Sequence, residues 1–225
     1  MIVNAVIPAK GTSSRVEGKN LRRNSEGKSL TYLACEKCLE VSNIDNVYLD
    51  TDSQEIIDDV KRLLTRGLKV LRRPPELQRE VPGNNRINEL LVHAAENSEP
   101  CDVILHVHVT APLLTANTLQ RVIEEYIENI DTHDSFFTAT HFRDYLWTPD
   151  HQAVNFDPEG ELVNCADLPK FWLESHGAYG VKTATLASLK KRVGRRPLPI
   201  EIPDIEAFDV NSEQDLKLLR IIEEE

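Results

Sequence analysis

Lys10, Arg15 and Lys19 stand among small residues in the segment Ile7-Pro8-Ala9-Lys10-Gly11-Thr12-Ser13-Ser14-Arg15-Val16-Glu17-Gly18-Lys19-Asn20. This composition suits a polyanion. Backbone N–H groups reach a phosphate closely only where side chains are small, and the cations add charge. The spacing is neither a Walker A loop nor a Gly-x-Gly-x-x-Gly fingerprint. A solvated basic loop is the competing account. A second pair, His106 and His108, alternates with Leu105 and Val107 and so faces one side of an extended segment. Two histidines at that spacing can hold a transition metal, yet no third ligand follows at a convincing distance along the chain. Partly buried, hydrogen-bonded histidines are the alternative. Cys35 and Cys38 form a Cys-x-x-Cys, but a redox or zinc role needs a second ligand pair or a thioredoxin-like context. Both lie on the apolar face of a helical pattern and read as core.

The elements that must position these residues alternate. Residues 2–7 read as a buried strand that delivers the basic loop at its carboxyl end. A helix is expected over residues 30–41, a short strand over 46–49 and a helix over 54–65 capped by Asp52 or Ser53. A strand over 68–71, a helix over 86–97, a strand over 103–109, a helix over 118–130 and a strand over 135–140 follow. This order predicts an α/β, Rossmann-like, mostly parallel sheet with helices on both faces. Right-handed crossovers then collect the loops after the strands along one edge, where ligands bind. The pattern breaks over residues 141–172, where Pro149, Pro158, Gly160 and Pro169 mark irregular turns.

A length of 225 residues fits a single domain, residues 1–225, with 141–172 as an excursion from it. Hydrophobic content of 40% and charged content of 28% are ordinary for a globular chain. The net charge of −11 argues against general nucleic-acid binding. No apolar stretch approaches membrane-spanning length and no signal peptide precedes the first strand, so a cytoplasmic protein without a membrane partner is expected. Four cysteines in this length suit a reducing compartment.

The segment from Pro8 to Leu21 resembles the signature of the cytidylyltransferases that activate acidic sugars, the acylneuraminate (CMP-sialic acid) and CMP-Kdo synthetase family. Pro8, Ala9, Gly11, Ser13, Arg15, Gly18, Lys19, Asn20 and Leu21 match it. Lys10 stands where the family has Arg, Ser14 where it has Lys and Glu17 where it has Pro. These changes weaken the positive field, and Lys10 lacks the bidentate fork. Further segments resemble family motifs in the same order: Tyr48-Leu49-Asp50-Thr51-Asp52, Arg73-Pro74-Pro75-Glu76-Leu77, and His108-Val109-Thr110-Ala111-Pro112-Leu113. Glu174-Ser175-His176-Gly177-Ala178-Tyr179 fits more loosely, and Phe208-Asp209-Val210-Asn211-Ser212-Glu213-Gln214-Asp215-Leu216 closes the series. The resemblance thus runs along nearly the whole chain.

The resemblance implies a nucleotide-diphospho-sugar transferase fold with 141–172 as a small projecting dimerisation arm. Trp147, Phe156, Phe171 and Trp172 would then meet a second subunit, or else cover the domain's own core. It implies that CTP is held by Pro8, Ala9, Lys10, Gly11, Ser13, Arg15, Lys19, Asn20 and Asp52, with Arg73 beside the cytosine. It implies an acceptor site at His108, where the family has Gln, with Thr110, Ala111, Pro112 and Glu174. Catalysis is assigned by resemblance to Lys19 and Asp209, and Mg²⁺ to Asp209 and Asn211, where the family has Asp-x-Asp. An amide oxygen brings no charge, so the metal should bind more weakly, or Asp204 or Glu206 must help. Asp209 can instead be an acid at the start of a helix over 212–222. The activity implied is a Mg²⁺-dependent transfer of CMP from CTP to an acidic sugar, a nonulosonic or related 3-deoxy keto sugar acid, by a homodimer that needs neither nucleic acid nor membrane. Two alternatives stand beside it: CMP transfer to a non-sugar acid such as a phosphonate, and a non-catalytic nucleotide-binding homologue.

Overall fold

The computed structural model describes residues 1–12, 16–78, 81 and 83–224. Seven strands make one sheet: β1 (Val3–Pro8), β2 (Asn46–Thr51), β3 (Leu68–Arg72), β4 (Val103–Val107), β5 (Ser135–Phe142), β6 (Phe171–Lys182) and β7 (Pro197–Glu201). Their order is β3-β2-β1-β4-β6-β5-β7. All neighbours are parallel except β6, which runs antiparallel to both β4 and β5. The helices are α1 (Leu30–Glu40), α2 (Gln54–Asp59), α3 (Lys61–Leu64), α4 (Pro75–Gln78), α5 (Ile87–Asn97), α6 (Ala116–Glu128), α7 (Thr183–Leu189) and α8 (Glu213–Glu224).

Alternation along β1 divides its side chains between two layers. Val3, Ala5 and Ile7 pack with Cys35 and Cys38 of α1 and with Leu119, Val122 and Tyr126 of α6. Val6 faces the other way, onto Leu91 and Ala94 of α5 and Leu186 of α7. Helices therefore cover both faces, and β1 and β4 are buried on both, which is why they read as unbroken apolar runs. Each fully buried Ile, Leu or Val in these layers contributes about 1.5–3 kcal/mol. Cys35 and Cys38 are core residues; burial pushes the Cys38 thiol up to about 12 and Cys35 well above its ordinary value, so neither is a reactive thiolate.

Several elements differ from the sequence expectation. The helix expected over 54–65 is two, because the chain breaks at Val60 (φ −92°, ψ 9°) between α2 and α3. Ser53 does cap α2, accepting from Ile56 N. β4 ends at Val107 rather than 109, and α6 starts earlier, with Thr115 accepting from Thr118 N. The twelve-residue β6, together with α7 and β7, was not anticipated.

β6 hides behind an irregularity. Its far half, Phe171–Glu174, pairs with Ala139–Phe142 of β5, and its near half lies between β5 and β4. Between them, Phe137 faces Tyr179 and Ala139 faces Glu174. Two steps on β5 are thus opposed by five on β6, a large bulge that holds His176 in the left-handed region at φ 57°. Regular strand would put residues five apart on opposite faces. The bulge instead brings Glu174 to Tyr179, whose hydroxyl donates to Glu174 Oε2 at 2.7 Å.

Beyond Phe142 the chain leaves the sheet and returns at Phe171. Residues 141–172 are therefore irregular only in their middle; both ends are strand. Tyr145 and Trp147 meet Phe156 edge-on, while Trp147, Leu162, Trp172 and Leu173 are exposed.

Candidate active site

The carboxyl ends of β1, β3 and β4, the β6 bulge and the segments before α8 surround a cavity of about 940 Å³. It lies where the strand order reverses: β2 and β3 continue from one side of β1, and β4 from the other. Among the described residues the lining holds five cations, Lys10, Lys19, Arg73, Arg86 and Arg192, against one carboxylate, Asp209. In a chain of net charge −11 that concentration of positive charge marks an anion site.

The loop after β1 is shaped by its own hydrogen bonds. Gly11 N donates to Asp52 Oδ1 at 2.8 Å, and a Cβ at position 11 would stand 2.8 Å from Ser53 Cβ. Only glycine lets the loop lie this close to the start of α2. Asn20 Nδ2 donates to Lys10 O at 2.8 Å, and Thr31 Oγ1 donates to Asn20 O at 2.9 Å. Lys19, 8% exposed, reaches across to donate to Val210 O at 3.1 Å. The phosphate-type loop is thereby tied to the Asp209–Asn211 segment. Ser13 and Arg15, and the departure at Ser14, lie outside the described residues.

Arg73 folds from the end of β3 over the end of β2. Its Nε and Nη2 donate to Asp50 Oδ1 at 2.7 and 2.5 Å, both side chains being buried. Nη1 has no protein partner among the described residues, so one edge of the fork remains for a ligand. Burial holds the Asp50 carboxyl above its ordinary value despite the guanidinium beside it.

On the other flank, His106, His108, His176 and Arg192 line the cavity. Arg192 Nη1 lies 3.3 Å from His108 Nε2. A guanidinium only donates, so Nε2 accepts and the His108 proton sits on Nδ1. Burial, reinforced by the Arg192 charge, lowers His108 to about 3 and His106 well below its ordinary value. Both rings are neutral at physiological pH. Neither belongs to a metal cluster: among the described residues no three His, Cys, Asp or Glu side chains converge on a point.

Those neutral rings have a measurable consequence. Unfolded His108 takes up a proton as pH falls below 6.5, and folded His108 does not until about 3. The unfolded state then binds more protons, so stability present above pH 6.5 is lost on acidification. At pH 5 the loss should be on the order of 1–2 kcal/mol for His108. Melting temperature followed from pH 7 to 5 should fall less in His108→Gln than in wild type. Parallel curves would contradict a buried neutral His108.

Asp209 and Asn211 both face the cavity. Asn211 Nδ2 donates to Asp209 Oδ2 at 2.5 Å, while Asp209 Oδ1 is buried with no hydrogen-bond partner among the described residues. A buried carboxylate oxygen without a donor fits a cation. One carboxylate and one amide suit Mg²⁺, which takes much of its shell from water and phosphate oxygens. Neither expected helper joins them. Glu206 accepts from Thr115 N and Oγ1 and from Thr118 Oγ1, so its charge caps α6; Asp204 is exposed and outside the lining.

Pro8, Lys10, Lys19, Asn20, Arg73, His108, Thr110, Asp209 and Asn211 thus share one cavity. Ala9, Gly11, Asp52, Ala111, Pro112 and Glu174 stand outside its lining. Ala9 and Ala111 are core, and Lys37 of α1, buried and lowered to about 8, donates to Ala111 O at 2.8 Å. Arg192 and Tyr179 were not singled out from the sequence. The available signal was Lys190-Lys191-Arg192-Val193-Gly194-Arg195-Arg196, five cations in seven residues.

The fold is that of the nucleotide-activating α/β transferases. A solved CMP:2-keto-3-deoxy-manno-octonic acid synthetase complexed with CTP superposes with a TM-score of 0.69 at 15% identity, covering 100% of this chain and 99% of that one. 4-Diphosphocytidyl-2C-methyl-D-erythritol synthase from Anaerococcus prevotii gives 0.66 at 11% identity, covering 100% and 96%. The family profile described as cytidylyltransferase matches residues 4–213, and the chain belongs to that family. It is 25% identical to pseudaminic acid cytidylyltransferase of Campylobacter jejuni over 96% of this chain and 94% of that protein. It is 30% identical to 3-deoxy-manno-octulosonate cytidylyltransferase of Christiangramia forsetii over 56% of this chain and 48% of that protein. No helix among the described residues is long and apolar enough to cross a membrane.

Proposed function

We propose that this cytidylyltransferase transfers CMP from CTP to an acidic sugar, a nonulosonic or related 3-deoxy keto sugar acid. The observation that carries the reading is one cavity joining Lys10, Thr12, Lys19 and Asn20 to Asp209, whose buried Oδ1 has no partner among the described residues. The relatives named for pseudaminic acid and 3-deoxy-manno-octulosonate support the acceptor class.

In this reading the loop after β1 and Lys19 hold the triphosphate, and Arg73 offers Nη1 to the cytosine. A hydroxyl oxygen of the acceptor attacks the α-phosphorus in line, and the bond to the pyrophosphate oxygen breaks. Lys10 and Lys19 offset the charge gathering on the leaving pyrophosphate. Mg²⁺ on Asp209 and Asn211 would supply further charge neutralisation at the phosphates. Arrangement as a homodimer through the arm accords with its exposed Trp147, Trp172 and Leu173, and light scattering measures it: a fully active species of 25.5 kDa would remove the dimer.

The test is pyrophosphate release from CTP with Mg²⁺ and a panel of pseudaminic acid, other nonulosonic acids, 3-deoxy-manno-octulosonate and phosphonates. Release with a sugar acid is the expected result. Release with phosphonates alone would select the non-sugar acceptor. CTP binding without release would select the non-catalytic reading, which the missing second carboxylate at Asn211 favours.

A further inference from the structure

Arg192 belongs to a loop that is built, not trailing. The Asp134 carboxylate accepts from Arg195 N at 2.9 Å and Arg196 N at 3.0 Å, and Ser135 Oγ accepts from Gly194 N at 2.8 Å. Asn88 Oδ1 of α5 accepts from Arg192 N at 2.9 Å. A Cβ at position 194 would stand 2.2 Å from Asp134 Oδ1, so the loop closes on this carboxylate only with glycine there. Four backbone N–H groups anchored on one short loop fix where Arg192 points.

The guanidinium of Arg192 lies over the Tyr179 ring, 3.7 Å from its centroid, with Nη1 directed to His108 Nε2. Stacking fixes the plane of the fork. Tyr179 is fixed in turn by its hydroxyl, which donates to Glu174 and meets His176 Nδ1 at 3.0 Å. This gives Glu174 a place: it holds the ring on which the cation rests. Arg192 is half-buried on the cavity wall, and among the described residues no carboxylate pairs with it. The chain has 37 acidic residues, so the lack of a partner is not for want of anions.

A partly desolvated guanidinium facing a cavity is suited to an anion brought by a ligand. Two anions enter a cytidylyltransferase site: the triphosphate and whatever charge the acceptor carries. The triphosphate has its own cations, Lys10 and Lys19, in the loop after β1. Arg192 stands on the far flank, beyond β4, beside the rings of His106, His108, His176 and Tyr179. We propose that Arg192 is the receptor for the acceptor's carboxylate, its planar fork facing the planar anion while the neighbouring rings bound the sugar. This rests on the acidic-acceptor reading above and assigns to a residue of this chain the selection of acids over neutral sugars.

The test compares wild type, Arg192→Gln and Arg192→Lys with pseudaminic acid, 3-deoxy-manno-octulosonate and their methyl esters. Arg192→Gln should raise the acceptor KM roughly 10- to 100-fold, the weight of a charge-assisted hydrogen bond, with CTP affinity by calorimetry unchanged. Arg192→Lys should recover part of the loss, and it keeps the test open should the Gln variant fold poorly. The wild-type preference for acid over ester should collapse in Arg192→Gln, a change that a merely structural arginine would not produce. An unchanged acceptor KM in the variants of an active enzyme would overturn the assignment alone. A matching loss of CTP affinity would overturn it in favour of a phosphate ligand. A wild-type protein that binds CTP but turns over no acid in the panel would overturn the acceptor reading and this assignment with it.

Discussion

Asp209→Asn is expected to cut turnover roughly 100-fold or more while leaving the chain folded. Asp209 is the one carboxylate on the cavity wall among the described residues, facing five cations and whatever phosphates they hold. Its Oδ1 is buried without a donor among the described residues, so no hydrogen bond from them depends on charge there. Its Oδ2 accepts from Asn211, and an amide oxygen at the same place accepts equally well. The substitution therefore removes charge with little change of shape. Circular dichroism should be unchanged, and pyrophosphate release at saturating CTP and Mg²⁺ reads the loss. Full activity would discard Asp209 as a metal ligand. Asn211→Asp is the converse experiment: a second negative charge should lower the Mg²⁺ concentration needed for half-maximal rate.

A second large effect concerns stability. Arg73→Ala should lower the free energy of unfolding by about 3–5 kcal/mol, the range for stranding one member of a buried ion pair. Asp50 is fully buried and Arg73 is 6% exposed, so the pair is desolvated and the carboxylate depends on the guanidinium beside it. Among the described residues Asp50 Oδ2 already lacks a partner, and the loss of Arg73 would leave both oxygens without a cation from them. Urea denaturation measures the drop. The double variant Asp50→Leu, Arg73→Met should regain much of it, because packed apolar groups replace a desolvated pair. CTP affinity should stay lost in the double variant, since Nη1 is gone. An Arg73→Ala protein as stable as wild type would contradict the buried pair.

The parts of this molecule that sequence made legible are those decided locally. β1 and β4 are buried on both faces and showed as apolar runs; α1 and α6 showed by periodicity and caps. Arg73 and His108 directly follow β3 and β4, where parallel topology gathers them, while Lys19, Asn20 and Asp209 lie further along the connecting segments and showed through the motifs they belong to. The break between α2 and α3 was invisible, because Ile56, Val60 and Leu63 keep helical spacing across it. β6 was invisible for two reasons. Its far half exposes Phe171, Trp172 and Leu173, and its middle abandons alternation at Ser175, His176 and Gly177. The roles of Ala111, Glu174 and Glu206 depended on tertiary partners: a lysine beneath the loop, a tyrosine hydroxyl and a helix N-terminus. Arg192 reaches the cavity only because Asp134, far away in sequence, gathers its loop.

The bulge in β6 carries a rule of parity. Its five steps against two leave an odd excess, which sets which face of the arm carries Trp172, stacked on His141 at 4.0 Å, and which carries Phe171 and Leu173. Deleting or inserting one residue between Glu174 and Tyr179 would exchange those faces while leaving every downstream strand in register. Glu174 would then turn away from Tyr179, and the ring beneath Arg192 would lose its hydroxyl's acceptor. A change of two residues preserves the arrangement. Length variation among relatives of this chain at that point should therefore come in even steps, and an odd step should be accompanied by a different aromatic pattern along the arm.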